Sequence, residues 1–408
     1  MILIKENKKI SEINIGLLGH VDHGKTTLTS ALTGQWADTH SEEVKRGITI
    51  RLGYADATFY KCPKCGGYTN TDKCMKCFEK ADLVRTVSFV DAPGHESLMA
   101  TVITGSALIN GALLLISATE KCPRPQTREH LKALEVVGIK NIIVVQNKID
   151  LVEPERVKES YKEIKEFLKG TFVENAPIIP ISAQQKINID YLIKAIEEFI
   201  PTPERDTKKD PKMLVVRSFD VNKPGTEPEK LIGGVLGGSL TQGEIKINDE
   251  IEIRPGLKVG NKWNPVITKI IGLEKGHHKL EKVGPGGLIG VSSLLDPSFS
   301  KADGLVGNII GHPGKLPEIR ESVKIETTLM DRVVGTKEIE NIKQLQKGEP
   351  LMLSVGTSRS IGNISEIKGS NITIDLKIPI CADKGERIVM FRNISGRWRL
   401  IGYGLLAD

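Results

Sequence analysis

Gly19-His20-Val21-Asp22-His23-Gly24-Lys25-Thr26 sets two glycines, a lysine and a hydroxyl at the spacing G-x-x-x-x-G-K-[ST]. Glycines let the main chain bend until several N–H groups face one point. A helix that starts there adds partial positive charge. The chemistry this suits is the holding of a polyphosphate, with Lys25 reaching the β and γ phosphates and the Thr26 hydroxyl binding Mg²⁺. Gly19, His20, Val21, Asp22, His23, Gly24, Lys25, Thr26 and Thr27 are the candidate phosphate-binding residues. In Asp91-Ala92-Pro93-Gly94-His95, Asp91 can hold the metal through water and the Gly94 N–H can meet the γ phosphate. In Asn147-Lys148-Ile149-Asp150, Asp150 can accept hydrogen bonds from the N1–H and 2-amino groups of guanine. Adenine has no such donor pair and would leave the carboxylate unpaired, a penalty of about a few kcal/mol. Asn147 can tie this loop to the phosphate loop, and the Lys148 stem can lie along the base. Ser182-Ala183-Gln184 offers the Ala183 N–H to guanine O6. A chance glycine turn is the plain alternative for the first motif, and N-K-x-D also occurs by chance. Four such motifs in order, each at the end of an apolar run, argue against coincidence.

Cys62-x-x-Cys65 and Cys74-x-x-Cys77 bring four thiols within reach of one tetrahedral point, a pattern suited to structural Zn²⁺. Two local disulfides are one alternative and an iron–sulfur cluster another, though nothing else in the chain suggests redox chemistry. Cys122 and Cys381 are isolated and read as packing residues.

These residues need elements to position them. NIGLLG, TVSFVDAPG, ALLLIS, NIIVVQNKID and APIIPISA are apolar runs of strand length. Helical stretches lie between them, among them PERVKESYKEIKEFLKG, with Pro154 at its start and Gly170 at its close. Strand and helix in alternation predict a parallel sheet covered on both faces. YADATFYK and DLVRTVSFV flank the cysteines as paired strands, which makes the cluster the tip of a long hairpin. Residues 201–211, PTPERDTKKDP with its prolines and charges, read as a linker. Beyond it helix signals almost vanish. GEIKINDEIEIRPG reads as a hairpin turning at Asn248-Asp249, and NITIDLKIPI alternates in a strand that Pro379 marks as an edge. The expected architecture is an α/β P-loop GTP-binding domain over 1–203, with a zinc knuckle at 62–77. Two all-β barrels follow, over 211–322 and 323–408.

Length and composition bound the rest. The chain has 408 residues, 39% hydrophobic and 26% charged, with net charge +6 and six cysteines. That is too long for one core, suits an ordinary soluble protein, and proves nothing about nucleic acid. The charged N-terminal dozen residues do not read as a signal peptide, and no apolar stretch is long enough to span a membrane. Cysteine usage points to a reducing, cytoplasmic compartment.

With these motifs in order, the chain resembles the translational GTPases. Arg46-Gly47-Ile48-Thr49-Ile50 matches their first switch and DAPGHE their second. The resemblance implies that Thr49 is a second protein ligand of Mg²⁺ and that His95 orients the attacking water. On its residue type alone, His95 reads as well as a hydrogen-bonded surface histidine. Asp22 and Gly47 lie where the group can place a second metal or its waters, so His95 and Asp22 are the catalytic candidates. Elongation factor Tu shares the three-domain plan but lacks the cysteine insertion. EEVKRGITIRLGYADA, DAPGHESLMATVITGSALINGALLLISA, EKCPRPQTREHL and ICADKGERIVMFRNISGRWRLIGYG are similar to the gamma subunits of initiation factor 2, and the short ends look archaeal. This implies GTP/GDP, Mg²⁺ and Zn²⁺ as ligands and a heterotrimer with alpha and beta subunits. It also implies delivery of methionyl initiator tRNA to the small ribosomal subunit, with no membrane partner. Lys384, Arg387, Arg392, Arg397 and Arg399 are possible phosphate contacts, and equally a solvated barrel face.

Overall fold

In a computed structural model, residues 10–34, 53–91, 99–223, 225–276, 278–330 and 342–407 are described. The chain divides into two units, Met1–Pro203 and Glu204–Asp408.

In the first unit the apolar runs become β1 (Ser11–Gly19), β2 (Gly53–Lys61), β3 (Tyr68–Thr69), β4 (Asp82–Asp91), β5 (Gly111–Ser117), β6 (Ile142–Asn147) and β7 (Ile178–Pro180). The sheet order is β3-β2-β4-β1-β5-β6-β7. Strands β4, β1, β5, β6 and β7 run parallel, and every residue of β5 is buried, which is why GALLLIS reads as an unbroken apolar run. The sheet is not parallel throughout. β2 pairs antiparallel with β4 from Gly53↔Asp91 to Lys61↔Asp82, because the cysteine-bearing insertion returns as a hairpin. The helices are α1 (Lys25–Thr33), α2 (Met99–Ser106), α3 (Pro125–Val137), α4 (Pro154–Leu168) and α5 (Ile189–Phe199). Proline opens α3 and α4, where its missing N–H loses nothing, and Gly138 closes α3 in the left-handed region. In α4 the buried residues are Ser160, Ile164 and Leu168, a stripe at i, i+4, i+8 facing the sheet's layer. One core joins Ile13, Ile15 and Leu17 of β1 to Leu28, Ala31 and Leu32 of α1 and to Leu192, Ile193 and Ile196 of α5. Side chains of this kind contribute about 1.5–3 kcal/mol each when fully buried, so both helices are fixed against the strand that feeds the phosphate loop. Among the described residues no helix is long and apolar enough to cross a membrane.

The second unit holds two six-stranded barrels. In the second, the strands spanning 319–329, 350–355, 358–368, 371–381, 387–394 and 397–406 close on themselves. Residue 322, the expected seam, falls inside the strand Ile319–Leu329. Two sequence expectations need correction. Ile245–Lys246 does not fold back on Glu250–Val259; it pairs with Lys282–Val283. The Asn248 N–H is drawn instead to Ile270 O at 2.9 Å, and the Asp249 carboxylate takes the Lys246 N–H at 2.8 Å, so the turn redirects the chain rather than closing a hairpin. Pro379 does not mark an edge, since a closed barrel has none. The register jumps between Arg320↔Ile380 and Ser322↔Asp375, and the proline sits in the slack of that bulge. The alternation breaks at the same place, leaving Ile378 exposed. Arg392, one of the basic candidates, is an internal strut: it grips Glu349 and donates to Lys343 O at 2.7 Å. Cys122 and Cys381 are buried free thiols.

Candidate nucleotide-binding site and metal centre

The turn from β1 to α1 is shaped by residues that tolerate unusual backbone. Gly24, just before α1, has φ 88°, and a Cβ built there would lie 2.4 Å from the Asn147 Nδ2. Only glycine satisfies both the dihedral and that approach. Asp22 is also left-handed, at φ 62°, and exposed. The Lys25 ammonium donates to Gly19 O at 3.1 Å and His20 O at 2.9 Å, which centres its charge on the loop. Thr26 Oγ1 donates to Asp91 Oδ2 at 2.8 Å, so the helix hydroxyl and the carboxylate ending β4 meet. Two hard oxygens side by side are donors of the kind Mg²⁺ takes. Thr27, beside Thr26, is half-buried. Gly47, Thr49, Gly94 and His95 lie outside the described residues.

Asn147 joins the two halves of the site. Its Nδ2 donates to His23 O at 2.9 Å, and its Oδ1 accepts from the Ala183 N–H at 3.0 Å. Both bonds are buried, so one amide at the end of β6 holds the phosphate loop on one side and the Ser182-Ala183-Gln184 loop on the other. Lys148 is left-handed at φ 64°, which turns the chain into a single 3₁₀ turn, Ile149–Leu151, with Asp150 exposed on it. Ser182 is buried and exchanges main-chain bonds with Ile187, while Gln184 is exposed.

The structure adds residues that motif reading missed. The Gly19 N–H donates to His130 Nδ1 at 2.8 Å and the Val21 N–H to Gln126 Oε1 at 3.2 Å. Gln126 and His130 stand at i, i+4 on α3, a spacing that puts both on one face and was visible in PQTREHL. His130 is fully buried, and burial pushes it down to about 3, helped by the charges of Lys25, His20 and His23. Its Nδ1 is thus an acceptor at neutral pH. His23 is buried too, held down at about 4 by burial, and its ring Nδ1 meets Leu115 O at 2.9 Å. Its Nε2 lies 3.5 Å from Glu120, and Arg156 of α4 fixes the Glu120 loop by donating to Ala118 O and Glu120 O.

At the hairpin tip, the Cys62, Cys65, Cys74 and Cys77 sulfurs all lie within 4.8 Å of one another. Cys62–Cys77 is 3.4 Å, Cys65–Cys74 3.5 Å and Cys65–Cys77 3.8 Å. Tetrahedral zinc with bonds of about 2.3 Å requires sulfurs about 3.8 Å apart, whereas a disulfide requires about 2.0 Å. The two C-x-x-C turns are alike: each is followed by a left-handed residue, Gly66 at φ 71° and Phe78 at φ 60°. The four cysteines can hold one zinc ion, and none is disulfide-bonded.

Residues 11–202 match the Elongation factor Tu GTP binding domain family, and residues 321–406 match Initiation factor eIF2 gamma, C terminal. The chain is 57% identical to translation initiation factor 2 subunit gamma of Methanothermobacter thermautotrophicus, over 98% of this chain and 100% of that protein. It is 54% identical to the subunit of the same name from Pyrococcus abyssi, over 99% of both. The chain belongs to the translation initiation factor 2 gamma-subunit family. As a member of that gamma-subunit family it carries a translational GTPase domain, binds GTP and GDP, and hydrolyses GTP. The gamma-subunit fold is also seen in the crystal structure of a bacterial selenocysteine-specific elongation factor, EF-Sec, at TM-score 0.75 and 25% identity. That match covers 98% of this chain and 58% of the EF-Sec chain. Elongation factor SelB from Methanococcus maripaludis shares the fold at TM-score 0.72.

Proposed function

We propose that the chain, in its GTP state, carries methionyl initiator tRNA to the small ribosomal subunit and lets go when GTP becomes GDP and phosphate. The observation that supports this most is the Asn147 bridge between the phosphate and base loops, in a chain alike over its full length to initiation-factor gamma subunits. The domains divide the work: 1–203 binds the nucleotide, and the two barrels that follow receive its state. Asp150 selects guanine. Thr26 and Thr49 would hold Mg²⁺, with Asp91 reaching it through water, and the ion would supply positive charge against the β and γ phosphates. Thr49 and Gly94 are held by the terminal phosphate and released after hydrolysis, an order–disorder switch. His95 orients the attacking water, and Asp22 and Gly47 serve a second metal or its waters. Cys62, Cys65, Cys74 and Cys77 hold a structural Zn²⁺. The protein works in the cytoplasm of an archaeon, as the core of a heterotrimer with alpha and beta subunits.

Filter binding with initiator and elongator methionyl-tRNA tests this. The GTP form should bind the initiator more tightly than the elongator, and more tightly than the GDP form does. Equal affinity for the two tRNAs would refute delivery of the initiator.

A further inference from the structure

The cysteine-bearing tip of the β2–β4 hairpin reaches back to the helix of the phosphate loop. The Asn70 Nδ2 donates to Ala31 O and to Leu32 O, each at 3.0 Å. Both carbonyls belong to the last turn of α1, where C=O groups find no partner inside the helix. At the same end the Gly34 N–H donates to Ser30 O and Thr33 Oγ1 donates to Thr29 O, and Asn70 adds two further carbonyls to the cap. α1 spans only nine residues, and a helix so short depends on its ends and its packing. Its other end carries Lys25 and Thr26.

Asn70 stands between the two cysteine pairs, and the residues that follow it are tied to both flanks of the second pair. Thr71 Oγ1 donates to Lys73 O at 2.8 Å, and the Ala81 N–H to Asp72 O at 2.8 Å, immediately before and after the second pair. Beyond the two-residue strand β3, the tip has no core of its own. Closing the four sulfurs on one ion is what would fix it. Tyr68 packs on the core shared by α1 and α5. On the other flank Lys76 pairs with Asp190 of α5 at 2.6 Å, a pair whose lysine is exposed and whose energy is small. Asn70, whose bonds are part-buried, is the firmer link.

We propose that the four-cysteine centre braces the nucleotide site through Asn70, so that metal occupancy and guanine-nucleotide binding are thermodynamically linked. This rests on the zinc reading above. Linkage is reciprocal: if the metal tightens nucleotide binding, nucleotide must tighten metal binding by the same factor.

The test uses the full chain, with zinc content measured first. Release of a fluorescent GDP analogue is timed for the natural chain, for Asn70→Ala, and for Lys64→Ala. Lys64 lies on the same tip, and among the described residues its side chain pairs with Glu79, at 3.0 Å, both exposed. Asn70→Ala should keep one zinc per chain and release GDP about threefold to tenfold faster, the range expected for one lost capping group. Lys64→Ala should match the natural chain. In the natural chain, saturating GDP should slow zinc transfer to a chromogenic chelator, and should slow it less in Asn70→Ala. One zinc per chain, with unchanged GDP release in Asn70→Ala and zinc transfer indifferent to GDP, overturns the linkage and leaves the zinc reading standing. A native chain that holds no zinc overturns both.

Discussion

Replacing Asn147 with alanine should damage the fold and the nucleotide site together. The amide supplies one donor, to His23 O at 2.9 Å, and one acceptor, from the Ala183 N–H at 3.0 Å, both bonds buried. Alanine leaves a buried carbonyl and a buried N–H unpaired. Each costs about 1–3 kcal/mol, the lower figure if water enters the space left by the amide, so the pair costs about 2–6 kcal/mol. For a unit of this size, each kcal/mol lowers Tm by about 2–4 °C. The unfolding transition of the GTP-binding unit should therefore drop by roughly 4–24 °C. Because the two loops proposed to hold the nucleotide lose their common tie, GDP affinity should fall by at least about tenfold as well. Calorimetry of unfolding, with isothermal titration by GDP in the presence of Mg²⁺, measures both. Asn147→Asp separates the two bonds, since a carboxylate still accepts from Ala183 but turns an oxygen toward the His23 carbonyl. A Tm within about 2 °C of the natural chain, with unchanged GDP affinity, would refute the claim that Asn147 couples the loops.

Gly24→Ala should weaken GDP binding by at least about tenfold, because a Cβ at φ 88° would press to 2.4 Å from the Asn147 amide; equal affinity by titration contradicts this. Asp150→Asn should shift preference from guanine to xanthine nucleotides, since a carboxamide can donate to the 2-oxo group; competition binding with GDP and XDP reads it. His130, pushed down to about 3 by burial, binds its proton more readily in the unfolded chain. Its contribution is complete above pH about 6.5 and is lost as pH falls, at up to about 1.4 kcal/mol per pH unit. Urea unfolding at pH 7 and pH 5.5 should show that loss, and His130→Gln should reduce the slope; a slope the variant leaves unchanged would mean the histidine is not held neutral.

What was legible in the sequence is what short stretches of chain determine. A strand, a glycine turn and a helix start within about a dozen residues make a phosphate loop with little help from elsewhere, and two C-x-x-C pairs specify their own turns. The N-K-x-D and S-A-Q motifs are legible for the same reason, as is the alternation that separates an α/β unit from β barrels. Hairpin pairing in Ile245–Val259 was not legible, because the Asn248 N–H goes to Ile270 O and Ile245–Lys246 finds its partner in the distant Lys282–Val283. Nor was the place of Pro379, which depends on a register shift against Arg320 and Ser322.

Tertiary structure alone decided which distant groups meet. Asn147 reaches His23 across 124 residues of chain, and His130 reaches Gly19 across 111. Asn70 caps a helix that ends before the cysteine hairpin has begun. The physical reason is common to all three. A main-chain N–H or C=O buried at a loop or helix end must find a partner. Local sequence shows that the partner is needed, but only the packing of the sheet and its helices selects which side chain supplies it.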